Sequence, residues 1–380
     1  MTTALINARV LAAQGWRDDV AVIVEGERIR ELAAARDIPV GTRTHDLSGR
    51  MLLPGFIDCQ VNGGGGILFN DVATVEGIRA IGAAHRRFGT TGFLPTLISD
   101  TIDAMRIAIA AADAAIAEAV PGVLGIHLEG PFISRERKGV HAEKYLHAPD
   151  AGELRVAESL RRGKTLLTVA PECVAPDAIR SLIAAGVIVA AGHTNADYAT
   201  VRAALNAGVR GFTHLFNAMS PLTSRAPGAV GAALDDPDSW CGVIVDGHHV
   251  DAASLRIALR AKPRGKLFLV TDAMPPVGAG NPSFVLDGET ITARDGICQT
   301  AAGTLAGSAL SMIDAVRNTV EMLGVPLEEA ARMASTYPAD FLGLGATHGR
   351  IEAGFHADFT VVDRDLRLTE TWIGGAVQTA

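Results

Sequence analysis

Up to about Leu52 the chain alternates apolar and polar residues in short runs. ALINARVLA, DVAVIVEGERIRELA and TRTHDLSGRMLLP are each cut off by turn-forming residues. A period of two predicts half-buried strands, so the first segment reads as β structure. The pattern then changes. Continuous apolar runs of four to eight residues begin to alternate with Ala-rich stretches of helical period. The runs are FIDCQVNG, TGFLPTLIS, VLGIHLEGPF, TLLTVAPE, GVIVAAGHT, GFTHLFNAM, WCGVIVDGHHV and LFLVTDAM. Apolar runs without alternation fit strands covered on both faces. Eight of them, most followed by a helix, predict an α/β fold with a parallel sheet closed into a (β/α)8 TIM-type barrel. FVLDGETITARDGICQT, near Ser283 to Thr300, interrupts the repeat and reads as a hairpin inserted after the eighth strand. The end, GRIEAGFHADFTVVDRDLRLTETWIGGAVQTA, is β again. The expected division is a barrel over residues 53–345 and one small β domain built from 1–52 and 346–380.

Composition narrows the class. The chain has 380 residues, 48% hydrophobic and 20% charged, with a net charge of −8. That supports a sizeable core. With no basic block, neither a nucleic-acid nor a membrane surface is expected. The start, MTTALINARV, lacks the basic and apolar regions of a signal peptide. The most apolar stretch, Thr101 to Val120, is broken by Asp103, Arg106, Asp113 and Glu118 and reads as an amphipathic helix. Cys59, Cys173, Cys241 and Cys298 have no metal-type spacing; reduced thiols in a cytoplasmic protein are expected.

The polar residues of interest stand at strand ends. Glu129, His193 and His214 end the third, fifth and sixth runs, and Asp272 ends the eighth. One such histidine is ordinarily a hydrogen-bonded rim residue. Two imidazoles and a carboxylate on one barrel rim form a common set for a divalent ion with an open fourth position. Asp272 is then the expected general base, and later the acid for a leaving amine; a helix N-cap is its plainer alternative. Gln60 and Asn62 share one face at the end of the first strand. As neutral amides they are poor zinc ligands, so one metal is expected. His127 shares a face with Glu129 but lies one layer deeper, which suits a core or supporting role. Gly63 to Gly66 lack the Lys-Ser/Thr of a phosphate loop and read as a mobile loop. Of the adjacent His248 and His249, at most one faces the pocket. Arg225 alone is a surface arginine; beside His249 it would make an anion clamp.

Together these residues resemble the amidohydrolase superfamily, and within it the N-acetylglucosamine-6-phosphate deacetylases. HLEGPF, FNAM and VTDAM carry the likeness, with PGFIDCQVNG, KGVH, AGHT, VDGHHVD and LAGSAL in family order. The resemblance implies a metal-dependent hydrolase barrel with a small β-sandwich, a homodimer, and amide hydrolysis in amino-sugar catabolism and cell-wall recycling. It implies that Glu129, His193 and His214 bind one divalent ion per subunit, zinc first, with iron, cobalt or manganese tolerated. It makes Asp272 the acid/base and His141 the group that polarises the acetamide carbonyl. Val140, His141, Asn217, Ala218, Arg225, His249, Leu305, Ala306 and Gly307 would contact the sugar phosphate, with His249 or Arg225 coming from the neighbouring subunit. Gln60 and Asn62 match the single-metal branch. His248 stands where the family usually has an apolar residue. A cyclic-amide hydrolase with a carboxylated lysine is disfavoured, because the fourth strand ends TVAPE with no lysine. A non-catalytic sugar-phosphate binder would have no need of Asp272 or His141.

Overall fold

The computed structural model describes residues 2–379. All eight apolar runs are strands. They are β1 (Phe56–Val61), β2 (Thr90–Ile98), β3 (Gly125–Glu129), β4 (Lys164–Val169), β5 (Ile188–Ala191), β6 (Gly211–Phe212), β7 (Trp240–Val243) and β8 (Leu267–Leu269). They pair in parallel in sequence order. The ring closes where Val61 bridges Ala273 in parallel, with Asp272 N–H donating to Gln60 O at 3.0 Å and Gly63 N–H to Ala273 O at 2.9 Å. A closed parallel barrel has no free edge, which is why all the residues of β1 and β2 are buried.

The helices outside the ring bury one stripe each. The Ala-rich stretch forms a helix over Ile102–Ala117, with the Thr101 side chain accepting from Ala104 N–H. Met105, Ala108, Ile109, Ala112 and Ala115 face the barrel, at the spacing that puts residues on one side of a helix.

The two chain ends meet in β structure. A four-stranded sheet (Thr2–Ile6, Val20–Glu25, Arg28–Ala34, Arg43–Asp46) packs on a six-stranded one to which Arg9–Ala12, Met51–Pro54 and Phe359–Val362 belong. Leu5, Val22 and Val24 meet Val10, Leu52, Phe359 and Trp372 in a shared core. Leu52 pairs with Val361, so the N-terminal segment is fixed to the C-terminal one by a backbone ladder.

The insertion after β8 is larger than the expected hairpin. Ser283–Leu286, Glu289–Arg294, Ile297–Gln299 and Leu305–Ser308 form a four-stranded antiparallel sheet. The polar turn after Thr300 breaks the alternation, which hides the fourth strand from a periodicity argument. The tetraglycine is also more ordered than a plain loop. Gly63–Gly64 pair with Ile67–Leu68, and a Cβ on Gly63 would lie 2.3 Å from the Ile67 carbonyl oxygen, so only glycine fits.

At the closing seam lies a fully buried carboxylate. Asp58 accepts from Thr271 Oγ1 at 2.5 Å, Gln60 N–H at 3.2 Å and Thr271 N–H at 3.3 Å, joining β1 to the end of β8. Burial pushes its pKa up to about 7, against the lowering effect of these donors. Above the ordinary carboxylate range and below about pH 7, the folded chain therefore holds a proton that the unfolded chain has released. The stability this contributes is present at low pH and lost as pH rises through about 7, at up to ~1.4 kcal/mol per pH unit. Asp58→Asn should shrink the fall in Tm between about pH 5 and about pH 8. An unchanged fall in thermal denaturation would place that pH dependence elsewhere.

Candidate active site

The ends of the barrel strands surround a cavity of about 360 Å3. Glu129, His193, His214 and Asp272 line its floor, and Val140 and His141 one wall. Asn217, Ala218, His249, Leu305 and Gly307 line the rest, together with Asn62.

Glu129 ends β3 and is buried, so its charge needs partners. Its Oε1 lies 3.0 Å from His214 Nε2 and 3.3 Å from His193 Nε2, and the two Nε2 atoms are 3.1 Å apart. Burial alone would raise the Glu129 pKa, but the two imidazoles hold it well below the usual range. Burial likewise disfavours a charged His214, and Glu129 outweighs it and raises that pKa. His193 Nδ1 donates to the Arg137 carbonyl at 2.8 Å, which leaves the Nε2 lone pair directed at the cluster. A tetrahedral ion with bonds of about 2.1 Å to such donors needs ligand atoms about 3.4 Å apart. The three atoms observed meet that requirement with small outward shifts, so carboxylate and imidazoles fit one divalent ion. A second group with ligand-type atoms, His348, His356 and Asp358, belongs to the region of the terminal sheets. There the imidazoles stack at 4.2 Å and 16° between planes, so their in-plane lone pairs do not converge. His193 and His214 cross at 74°.

Asp272 sits beside this set. Its Oδ1 accepts from Asn62 Nδ2 at 2.6 Å and Gln60 Nε2 at 3.1 Å, and Gln60 Nε2 also reaches Glu129 Oε1 at 3.0 Å. The two amides thus position both carboxylates. Burial first, and the charge of Glu129 second, push the Asp272 pKa up to about 6. No helix starts at Asp272; the next begins at Met312, so the N-cap alternative does not apply. His193, His214 and Asp272 have φ of 46°, 30° and 53°, a region that non-glycine residues rarely occupy. Such strain persists where the surroundings over-determine it, and it concentrates at functional sites.

His141 Nδ1 receives Ser99 N–H at 3.3 Å and lies 2.7 Å from Ser99 Oγ. Burial holds the ring neutral, with a pKa lowered to about 3. A neutral ring that accepts at Nδ1 carries its proton on Nε2, available to a carbonyl oxygen. His127 is a supporting residue: Nδ1 lies 3.1 Å from Thr96 Oγ1 and Nε2 2.8 Å from Thr168 Oγ1, which reaches Thr213 Oγ1 at 2.7 Å. With both nitrogens engaged, it ties β2, β3, β4 and the end of β6 together beneath the cluster. His249 faces the cavity, its Nδ1 2.5 Å from Asp246 Oδ2, while His248 is exposed. Burial would raise Asp246, but the His249 ring and backbone donors bring it down to about 2.

Two of the expected residues are not among those lining the cavity of their own chain. Ala306 is buried with Met274, Phe284 and Cys298 under the inserted sheet, because alternation along its strand turns Leu305 and Gly307 to the cavity and Ala306 away. Arg225 lies on an exposed loop and does not line the cavity of its own chain. Conversely, Glu136, Arg137 and Thr304, which carry no motif signal in the sequence, line the cavity. Arg137 lies inside the basic loop SRERKGVH, where spacing alone does not separate it from Arg135 or Lys138. All four cysteines are free, and among the described residues no helix is long and apolar enough to cross a membrane.

The model of the family described as "Amidohydrolase family" matches residues 51–378. The N-acetylgalactosamine-6-phosphate deacetylase of Shewanella sp. (strain ANA-3) is 44% identical over 87% of this chain and 83% of its own. The N-acetylglucosamine-6-phosphate deacetylase of Haemophilus influenzae is 36% identical over 99% of both. The crystal structure of N-acetylglucosamine-6-phosphate deacetylase from Pasteurella multocida superposes with a TM-score of 0.97, at 36% identity over all of both chains. The chain therefore belongs to the amidohydrolase family, as its barrel and strand-end cluster had indicated.

Proposed function

We propose that this protein is a metal-dependent hydrolase that removes the N-acetyl group of N-acetylglucosamine 6-phosphate, giving glucosamine 6-phosphate and acetate. The observation that carries the reading is Asp272, held by two amides against the Glu129–His193–His214 set on the floor of a sugar-sized cavity. Relatives named for this reaction cover almost the whole chain.

Glu129, His193 and His214 would hold one divalent ion, with zinc the expected metal. When bound, that ion supplies Lewis acidity and lowers the pKa of water towards neutrality. The acetamide oxygen lies against His141 Nε2–H, which stabilises the charge that develops on it. Asp272 takes a proton from the attacking water as a C–O bond forms at the carbonyl carbon. It then passes that proton to the nitrogen as the C–N bond breaks, releasing the amine. Asn62 and Gln60 keep the Asp272 carboxylate in place throughout.

Asn217, Ala218 and His249 contact the sugar phosphate, with Val140 and the Leu305 and Gly307 backbone closing around the ring. Arg225 projects from an exposed loop beside the exposed Leu222, which suits delivery to a second copy's cavity in a homodimer.

The first test is acetate release by metal-loaded protein from N-acetylglucosamine 6-phosphate, its galactosamine epimer and unphosphorylated N-acetylglucosamine. Release from the glucosamine derivative, lost on chelation and restored by zinc, iron(II), cobalt or manganese, is expected. The 44% identity to a galactosamine-type deacetylase favours the epimer as the second reading, and faster turnover of it would make that the primary substrate. Asp272→Asn should lower kcat roughly a hundred- to ten-thousandfold with metal content unchanged; normal turnover would remove Asp272 from the mechanism. Arg225→Ala should raise KM for the phosphorylated sugar about tenfold or more and leave the plain sugar alone; equal effects on both would count against a phosphate contact.

A further inference from the structure

The cavity contains one arginine that the reading above leaves without a role. Among the described residues lining it, Arg137 is the only arginine or lysine, since Arg225 lies outside. Arg137 follows the short turn after β3 and is half-buried. It is fixed at both ends. Its N–H donates to Ser134 O at 3.3 Å, and its carbonyl accepts from His193 Nδ1 at 2.8 Å. Its side chain donates from Nε to Asn195 Oδ1 at 2.9 Å. The neighbouring acids are engaged elsewhere: Glu136 accepts from Ser134 Oγ at 2.7 Å, and Glu143 pairs with Arg135 at 3.6 Å. Both Nη groups of Arg137 therefore remain for a ligand.

Asn195 also defines where that guanidinium points. Its strand end is stitched to the segment after His214: Thr194 N–H donates to Ala218 O at 3.0 Å and Ser220 N–H to Thr194 O at 2.9 Å. Arg137, through Asn195, thus belongs to the same wall as Asn217 and Ala218, the side of the cavity assigned above to the phosphate. An arginine whose Nε is already anchored presents two parallel N–H groups, which match two phosphate oxygens. Anchoring also removes much of the entropy cost of ordering a long side chain at the moment of binding.

We propose that Arg137 is a substrate-phosphate contact supplied by the chain that carries the metal cluster, distinct from Arg225; this rests on the sugar-phosphate reading. Arg137 then joins two tasks. Its backbone carbonyl orients a metal ligand, and its side chain selects phosphorylated substrate. Because the carbonyl survives any substitution, the second task can be tested without disturbing the first.

The experiment compares wild type with Arg137→Met and Arg137→Lys. Acetate release from the phosphorylated amino sugars and from unphosphorylated N-acetylglucosamine is measured. So are inhibition by inorganic phosphate and metal content. Arg137→Met should raise both KM for the phosphorylated sugar and the inhibition constant for phosphate by about ten- to a hundredfold, as expected for loss of a charge-assisted contact. Activity on the plain sugar and metal content should stay unchanged, and Arg137→Lys should recover part of the loss. Unchanged KM and phosphate inhibition in Arg137→Met, or equal losses on both sugars, would overturn the proposal while leaving the sugar-phosphate reading intact. A wild type that ignores every phosphorylated amino sugar would overturn that reading and this inference with it.

Discussion

A carboxylate buried at the end of a β-strand must be met by positive charge, and the upper half of this barrel is arranged to meet that need at Glu129. Two imidazoles from the ends of β5 and β6 point at one of its oxygens, and an amide from the end of β1 reaches the same atom. Two of these partners are oriented by a contact further out. The Arg137 carbonyl fixes His193, and the Gln60 amide is shared with Asp272. A divalent cation would meet the Glu129 charge and both imidazoles at once, so the set suits such an ion electrostatically.

Barrel closure brings Asp272, the proposed acid/base, beside Glu129. Asp272 and Glu129 are far apart in sequence and come together because β8 closes on β1, and Asp272 N–H to Gln60 O is part of the closing ladder. Asp58 holds the same seam from below through Thr271 and the Gln60 N–H. The positive φ at His193, His214 and Asp272 follows from this construction. A strand that ran on straight would carry each side chain past the cavity; turning the backbone two or three residues beyond the strand aims the side chain inward. The strain is sustained by ladders, such as the Thr194–Met219 and Ala273–Ser308 bridges, that continue beyond the turned residue.

Much of this was legible from the chain alone because it depends on period and on strand ends. Eight apolar runs mark the barrel, and the four polar residues at run ends, Glu129, His193, His214 and Asp272, line one cavity at its rim. The amphipathic helix expected over Thr101 to Val120 is observed over Ile102–Ala117. The inserted segment reads as a hairpin in sequence because its fourth strand lies beyond a polar turn that interrupts the alternation. Motif order groups Ala306 with Leu305 and Gly307, whereas the strand splits alternate residues between two environments. Arg225 and Arg137 show the same limit. Both are basic residues in loops, and only the path of each loop decides which one faces the cavity of its own chain.

The sequence by itself determined the barrel, the joining of both chain ends in β structure, and the identity of the carboxylate and imidazole donors, since these follow from local hydrophobic period and residue chemistry. Tertiary structure decided what depends on convergence. It settled the shared amide between Glu129 and Asp272, the proton on His141 Nε2, the engagement of both His127 nitrogens, and the free Nη groups of Arg137. Each is a distance or a direction between residues remote in sequence, set by barrel closure and by loops whose course no period encodes.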